Sequence, residues 1–570
     1  MCLLRDFKFQ GVLYYHNKHC AWARSEPRRC SAAADTGAGA VCGRCRVAAD
    51  GTVYASFRGI PYAKQPLGEL RFKELQPVEP WSSVLDAAEE GPACPQLDTF
   101  YAAVTSPRRA TAEDCIYANV HAPLSALPAP RAPAPAPGLP VLVFVHGGGF
   151  AFGSGDADLH GPEYLVTKGV VVVTFNYRLN VFGFLSLNSS YVPGNNGLRD
   201  VITLLRWVQD NAANFGGNPD DVTLAGQSAG AVITHLLSMA PAADGLFHRM
   251  ILSSGNGSPT FYSASPIIAK TVADAFLQLV GVNSTDPEDT HQQLVEMPLE
   301  KLMEANAILQ NLYGVVVFAP VVETSAASDF TTVIDEDPDV MINQGRGNHI
   351  PALIGFTSAE AEMFRPLFDS IKIVDKVRDN PTLAVYPKML TRVMPDVVAD
   401  IGKKIQQRYY PTITLDNYIK YASDAFFIYP ALKLAKTRAY QRAAPTYLYQ
   451  FSYQNDNSTM KRANHLSYSG AAHVEDLTYW FRTNTQLPPP TLHVPTKEDP
   501  MVHRMTWFIS NFIHCGTPSC DRTSWTPLRR EYFTYQDITH HDMREYRSVH
   551  LADKQHQMYQ FFHNIENRSS

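Results

Sequence analysis

The chain has 570 residues, 45% apolar and 18% charged, with a formal net charge of −6. That balance fits a globular protein with a large core. No basic tract appears, which argues against nucleic acid as a partner, and no run of about 18 apolar residues reads as a membrane span.

The chain opens MCLLRDFKFQGVLYYHNKHC, which is polar and charged and lacks the apolar core of a secretory signal. Residues 1–40 show no periodicity. They are expected to be poorly ordered and read as an alternative or misread start. Residues 41–562 read as one domain and 563–570 as a tail. Strand and turn patterns begin at Thr52. The stretch LSALPAPRAPAPAPGL (124–139) reads as a polyproline-like surface loop, too short to separate domains.

Short apolar runs closed by Gly, Ser or Asn then follow: VLVFV, GVVVVTF, DVTLAG, RMILSS and IPALIGF. They predict buried strands. Between them, NNGLRDVITLLRWVQDNAANF places Leu198, Val201, Leu204, Leu205 and Val208 on one helical face. Alternating strands and helices predict an α/β fold with a large, mostly parallel sheet. Residues 264–345 and 365–445 carry more helical pattern and read as excursions over that sheet.

Two motifs carry chemistry. VLVFVHGGGF is a strand ending in three glycines, whose N–H groups can turn towards one point. DVTLAGQSAGAVITHLLSM is a strand, a tight turn and a helix around G-x-S-x-G, the setting of a nucleophile elbow. Together they predict Ser228 as nucleophile, with the N–H groups of Gly148, Gly149 and Ala229 as an oxyanion hole. A serine hydroxyl needs a base, and the base an orienting acid. In an elbow fold the chain order is Ser, acid, His. His473 is the candidate base, in the small-residue loop GAAHVEDL beyond the predicted strand Thr446–Ser452. Glu360 directly follows IPALIGF, where strand ends place reacting groups, but Glu362 and the cluster at 335–337 qualify too.

The stretches ASFRGIPYAKQP (55–66), EDCIYANV (113–120), HGGGF (146–150), NYRLNVFGFLSL (176–187), NFGGNPDDVTLAGQSAGA (214–231) and GAAHVEDL (470–477) together resemble the type-B carboxylesterases, the cholinesterase-like branch of the α/β-hydrolases. The resemblance covers about residues 41–562. It implies Glu360 as the acid, followed here by Ala361 where the family usually has glycine. It also implies a disulfide between Cys94 and Cys115, worth roughly 3 kcal/mol, ion pairs Arg58–Glu113 and Arg178–Asp200, and Ser254 supporting the acid. Cys2, Cys20, Cys30, Cys42, Cys45, Cys515 and Cys520 stay unassigned. Within the family, GNNGLRDVITLLRWVQDNA, GQSAGA and GAAHVEDL are most similar to the insect juvenile hormone esterases and related moth esterases.

Cholinesterases carry glutamate before the nucleophile; Gln227 is neutral. The segment 95–114 offers Phe100 and Tyr101 but no tryptophan, so no cage for a quaternary ammonium is evident. Gln227, Phe261 and Tyr262 are the candidate substrate contacts, the last two where the family builds its acyl pocket. The expected function is serine esterase action on a neutral apolar ester, a juvenile-hormone-type methyl ester above all, with no metal or cofactor. Alternatives are a detoxifying or odorant-degrading esterase, and a non-catalytic adhesion or carrier protein of the same fold. Oligomeric state is not legible. Sequons at Asn188, Asn256, Asn283, Asn457 and Asn567, with nine cysteines, favour secretion.

Overall fold

The computed structural model describes residues 30–567, apart from residues 49, 99–109, 129–137, 325–329, 411, 485–498, 521–524, 532, 540–542 and 549–552. Its strands in chain order are β1 (Ala32–Thr36), β2 (Gly39–Val47), β3 (Val53–Pro61), β4 (Leu85–Asp86), β5 (Tyr117–Pro123), β6 (Leu139–Val145), β7 (Val171–Phe175), β8 (Gly217–Gln227), β9 (Arg249–Ser253), β10 (Ala352–Thr357), β11 (Thr446–Phe451), β12 (Phe533–Ile538) and β13 (Met543–Ser548). They form one sheet ordered β1-β2-β3-β5-β7-β6-β8-β9-β10-β11-β12-β13, with β4 beside β2. From β7 to β12 every pairing is parallel; the outer strands pair antiparallel, except β4, which is parallel to β2.

The central strands are apolar on both faces because both faces are covered. On β6, Val141, Val143 and Val145 enter one core cluster, while Leu142 and Phe144 enter another. The helices Asn196–Asn211, Ala229–Ser238 and Tyr429–Tyr440 supply the first cluster, and Pro500–Cys515 supplies the second. Leu198, Val201, Leu204, Leu205 and Val208 are all buried, as their spacing requires. The excursions carry helices that include Pro266–Val280, Leu299–Tyr313 and Pro395–Tyr409.

The domain edges differ from the sequence reading. Order begins before residue 41: β1 pairs with β2, and a disulfide joins Cys30 to Cys42. The alanines of β1 have no alternation to read. At the other end, the helix Asp553–Asn567 runs into the expected tail, as far as Asn567. It is held because Glu566 pairs with Lys388 (2.6 Å) and Lys433 (2.7 Å). Residues 1–29, with Cys2 and Cys20, lie outside the described residues, as do Phe100 and Tyr101.

The Cys94–Cys115 disulfide is present, and Cys515 joins Cys520. Cys45 belongs to none of these three bridges; its Sγ lies 2.9 Å from Ser31 O. Arg178 grips Asp200, with Nε at 2.9 Å and Nη2 at 2.6 Å, both side chains being buried. Asp200→Ala would strand that guanidinium. The expected loss is about 3–5 kcal/mol, checked as a lowered urea unfolding midpoint. The other expected pair is corrected. Glu113 bonds Arg71 (2.7 Å), and Arg58 lies 3.6 Å from Glu90. Arg71 also donates to the carbonyls of Leu294, Val295 and Met297, so its guanidinium sits between Glu113 and a helix end.

Candidate active site

β8 ends at Gln227 and the helix Ala229–Ser238 starts two residues later, so Ser228 alone makes the turn, at φ 55° and ψ −124°. Such a backbone costs about 1–3 kcal/mol and must be held from outside. Ser228 N–H donates to Ser253 O at 2.8 Å, tying the elbow to β9. The flanking glycines permit the close approach: a Cβ on Gly226 would lie 2.2 Å from Gly230 O, and one on Gly230 2.1 Å from Val145 O.

The glycine run after β6 lies against this elbow. A Cβ on Gly147 would sit 3.2 Å from Ser228 Cβ. Gly148 and Gly149 have φ of 116° and 61°, a path open to glycine. Among the described residues, the N–H groups of Gly148, Gly149 and Ala229 make no backbone hydrogen bond.

Glu360 and His473 come together. Glu360 follows β10 in the short turn Glu360–Phe364 and is fully buried. Its Oε1 accepts from Ser254 Oγ (2.7 Å) and Thr357 N (2.7 Å); its Oε2 lies 2.6 Å from His473 Nδ1. The other carboxylates are spoken for elsewhere: Glu362 by Arg365, Asp335 and Glu336 by Arg346, and Asp337 by Arg392. Ala361 is tolerated because its φ is not positive; its N–H donates to Ser423 Oγ at 2.9 Å.

Two of the candidate substrate contacts, Gln227 and Tyr262, are enclosed. Gln227 is fully buried, and its amide nitrogen donates to His473 Nε2 at 3.0 Å. That bond assigns the ring proton to Nδ1, facing Glu360. Gln227 is thus a neighbour of His473; as the last residue of β8 it is paired with Ser253 and enclosed. Among the described residues, Ser228 Oγ makes no hydrogen bond to His473. Tyr262 is also buried, with its hydroxyl on Gly257 O (2.7 Å). Phe261 is half-buried and stacks near Phe427, with ring centroids 5.8 Å apart.

Sequence reasoning missed Phe364 and Phe427, which flank the imidazole at 5.5 and 4.7 Å. Phe427 lies in a π-helical turn, Asp424–Ile428, a feature often found at functional sites. No sequence period marks such a turn. Phe364 stands four residues after Glu360, a spacing that would have nominated it.

A carboxylesterase family model matches residues 31–559. The chain belongs to the carboxylesterase family. It is a carboxylic-ester hydrolase with the α/β-hydrolase architecture. This carboxylesterase is 48% identical over 554 residues to the juvenile hormone esterase of Heliothis virescens, covering 96% of each chain. It is 32% identical to the para-nitrobenzyl esterase of Bacillus subtilis, covering 83% of this chain and 89% of the relative. The juvenile hormone esterase of Manduca sexta, solved with OTFP covalently attached, superposes with a TM-score of 0.88 at 50% identity, covering 94% of this chain and 99% of that one. Among the described residues, no helix of this carboxylesterase is long and apolar enough to cross a membrane.

Proposed function

We propose that this carboxylesterase hydrolyses a juvenile-hormone-type methyl ester through an acyl-enzyme on Ser228. The observation that carries the proposal is the buried Glu360–His473 couple at 2.6 Å beside a serine held at φ 55°. Ser228 Oγ attacks the ester carbonyl while His473 Nε2 takes its proton. The N–H groups of Gly148, Gly149 and Ala229 hold the oxyanion. His473 then protonates the departing alcohol, and water repeats the sequence on the acyl-enzyme. Ser254 and Thr357 fix Glu360, which orients the imidazole.

The substrate class is supported by the 48% identity to a juvenile hormone esterase and by the phenylalanines around His473. They offer an apolar wall. The reading extends to a secreted glycoprotein. Asn188, Asn283, Asn457 and Asn567 are exposed and open to glycan transfer. Asn256 is not: it is 3% exposed, with Oδ1 accepting from Ser258 N.

One assay comparing kcat/KM for juvenile hormone, aryl acetates and choline esters tests the substrate. Juvenile hormone is expected to lead by at least tenfold. Equal rates for hormone and aryl acetates would support a general esterase instead, and preference for choline esters would defeat the apolar reading.

A further inference from the structure

The loop that carries His473 buries a second carboxylate that acyl transfer as written leaves unused. Asp476, three residues on, is fully buried in the turn Glu475–Tyr479. Its Oδ2 accepts from Ser253 Oγ at 2.8 Å and from Tyr449 Oη at 2.9 Å. Its Oδ1 is buried with no hydrogen-bond partner among the described residues. Ser253 is the last residue of β9; its carbonyl takes the Ser228 N–H, and its neighbour Ser254 holds Glu360. Asp476 is thus anchored to the strand end that places both the nucleophile and the acid.

We propose that Asp476 is a positioning residue for ester hydrolysis whose negative charge strengthens His473 as the base that takes the Ser228 proton. The proposal rests on the roles given to Ser228, Glu360 and His473 above. The titratable groups facing Asp476 are Tyr449 on β11, Glu360 beyond β10, and His473. The adjacent Glu475 turns instead to Ser458 Oγ and Ala472 N. Burial pushes the Asp476 carboxyl up to about 6; the Ser253 and Tyr449 donors oppose this, Glu360 adds to it and His473 opposes it. Burial holds the Tyr449 phenol well above its usual range, so it stays a donor. Because both donors sit on Oδ2, a proton on Oδ1 changes the charge without breaking the anchor. Protonation of Asp476 removes the negative charge that faces His473.

Asp476→Asn keeps an acceptor for Ser253 and Tyr449 and removes the charge. The acid limb of kcat/KM is expected to move to lower pH by about half a unit, roughly threefold in imidazolium fraction. The plateau should fall by no more than about threefold as the base weakens. Tyr449→Phe removes one donor from the carboxylate and should displace the limb in the same direction by less. A fall in plateau with the limb unmoved would reduce Asp476 to scaffolding and overturn the proposal, as would an unchanged profile. If Asp476→Asn does not fold, the limb of Tyr449→Phe decides alone. Ser228→Ala in parallel separates the failures: if it is active, the acyl-enzyme reading falls. If it is inactive and the Asp476→Asn limb is unmoved, only the role of Asp476 falls.

Discussion

Ser228→Ala should lower kcat on a methyl or aryl ester by about 10⁴-fold or more, while the protein stays folded. Removing a serine nucleophile elsewhere has cost about 10⁶ in kcat, because serine and base act as one unit. What survives is the contribution of the oxyanion donors and of binding, on the order of 10³–10⁴ over water. The methyl group of alanine fits the same elbow, and the Ser228 N–H bond to Ser253 is a backbone bond, so stability should hold. Stoichiometric labelling by an organophosphate should vanish with the hydroxyl. A variant within tenfold of the parent would remove Ser228 from the mechanism.

Glu360→Gln should cost about 10⁴ in kcat, although it removes a single oxygen. Oε1 of Glu360 is fixed by Ser254 and Thr357 N, so the glutamine carbonyl would stay there. Its NH₂ would then face His473 Nδ1 in place of the carboxylate. A donor at that point demands a lone pair on Nδ1, which sends the ring proton to Nε2. The lone pair that should accept the Ser228 proton is lost. The check is single-turnover acylation at saturating ester. A fall of less than tenfold would mean that Glu360 is not the orienting acid. The Ser228→Ala, Glu360→Gln double variant should be hardly slower than Ser228→Ala.

The centre of the fold was legible because fully buried parallel strands must be continuously apolar. The run at 141–145 lies within β6, and those at 169–175 and 249–254 overrun β7 and β9 by two residues and one. The margins were less so. Three alanines in β1 have no alternation, and its pairing with β2 rests on backbone bonds and a disulfide. At the site, motif and spacing nominated Ser228, Glu360 and His473, the last two of which lie 2.6 Å apart. Long-range packing hid the rest. Nothing local in a sequence says that Gln227 reaches a residue 246 positions away, or that Glu113 meets Arg71 instead of Arg58. Phe427 was hidden for the same reason: its helix closes on His473 only in three dimensions.

Arg71 bears on how such a covering layer diversifies. Its guanidinium joins Glu113, close to the Cys94–Cys115 bridge, to the carbonyls of Leu294, Val295 and Met297. Those contacts are made to backbone, so they survive changes of side chain along the excursion. A lineage can therefore rewrite the residues of this layer, and with them its preference among esters, without unfastening the layer from the scaffold beneath.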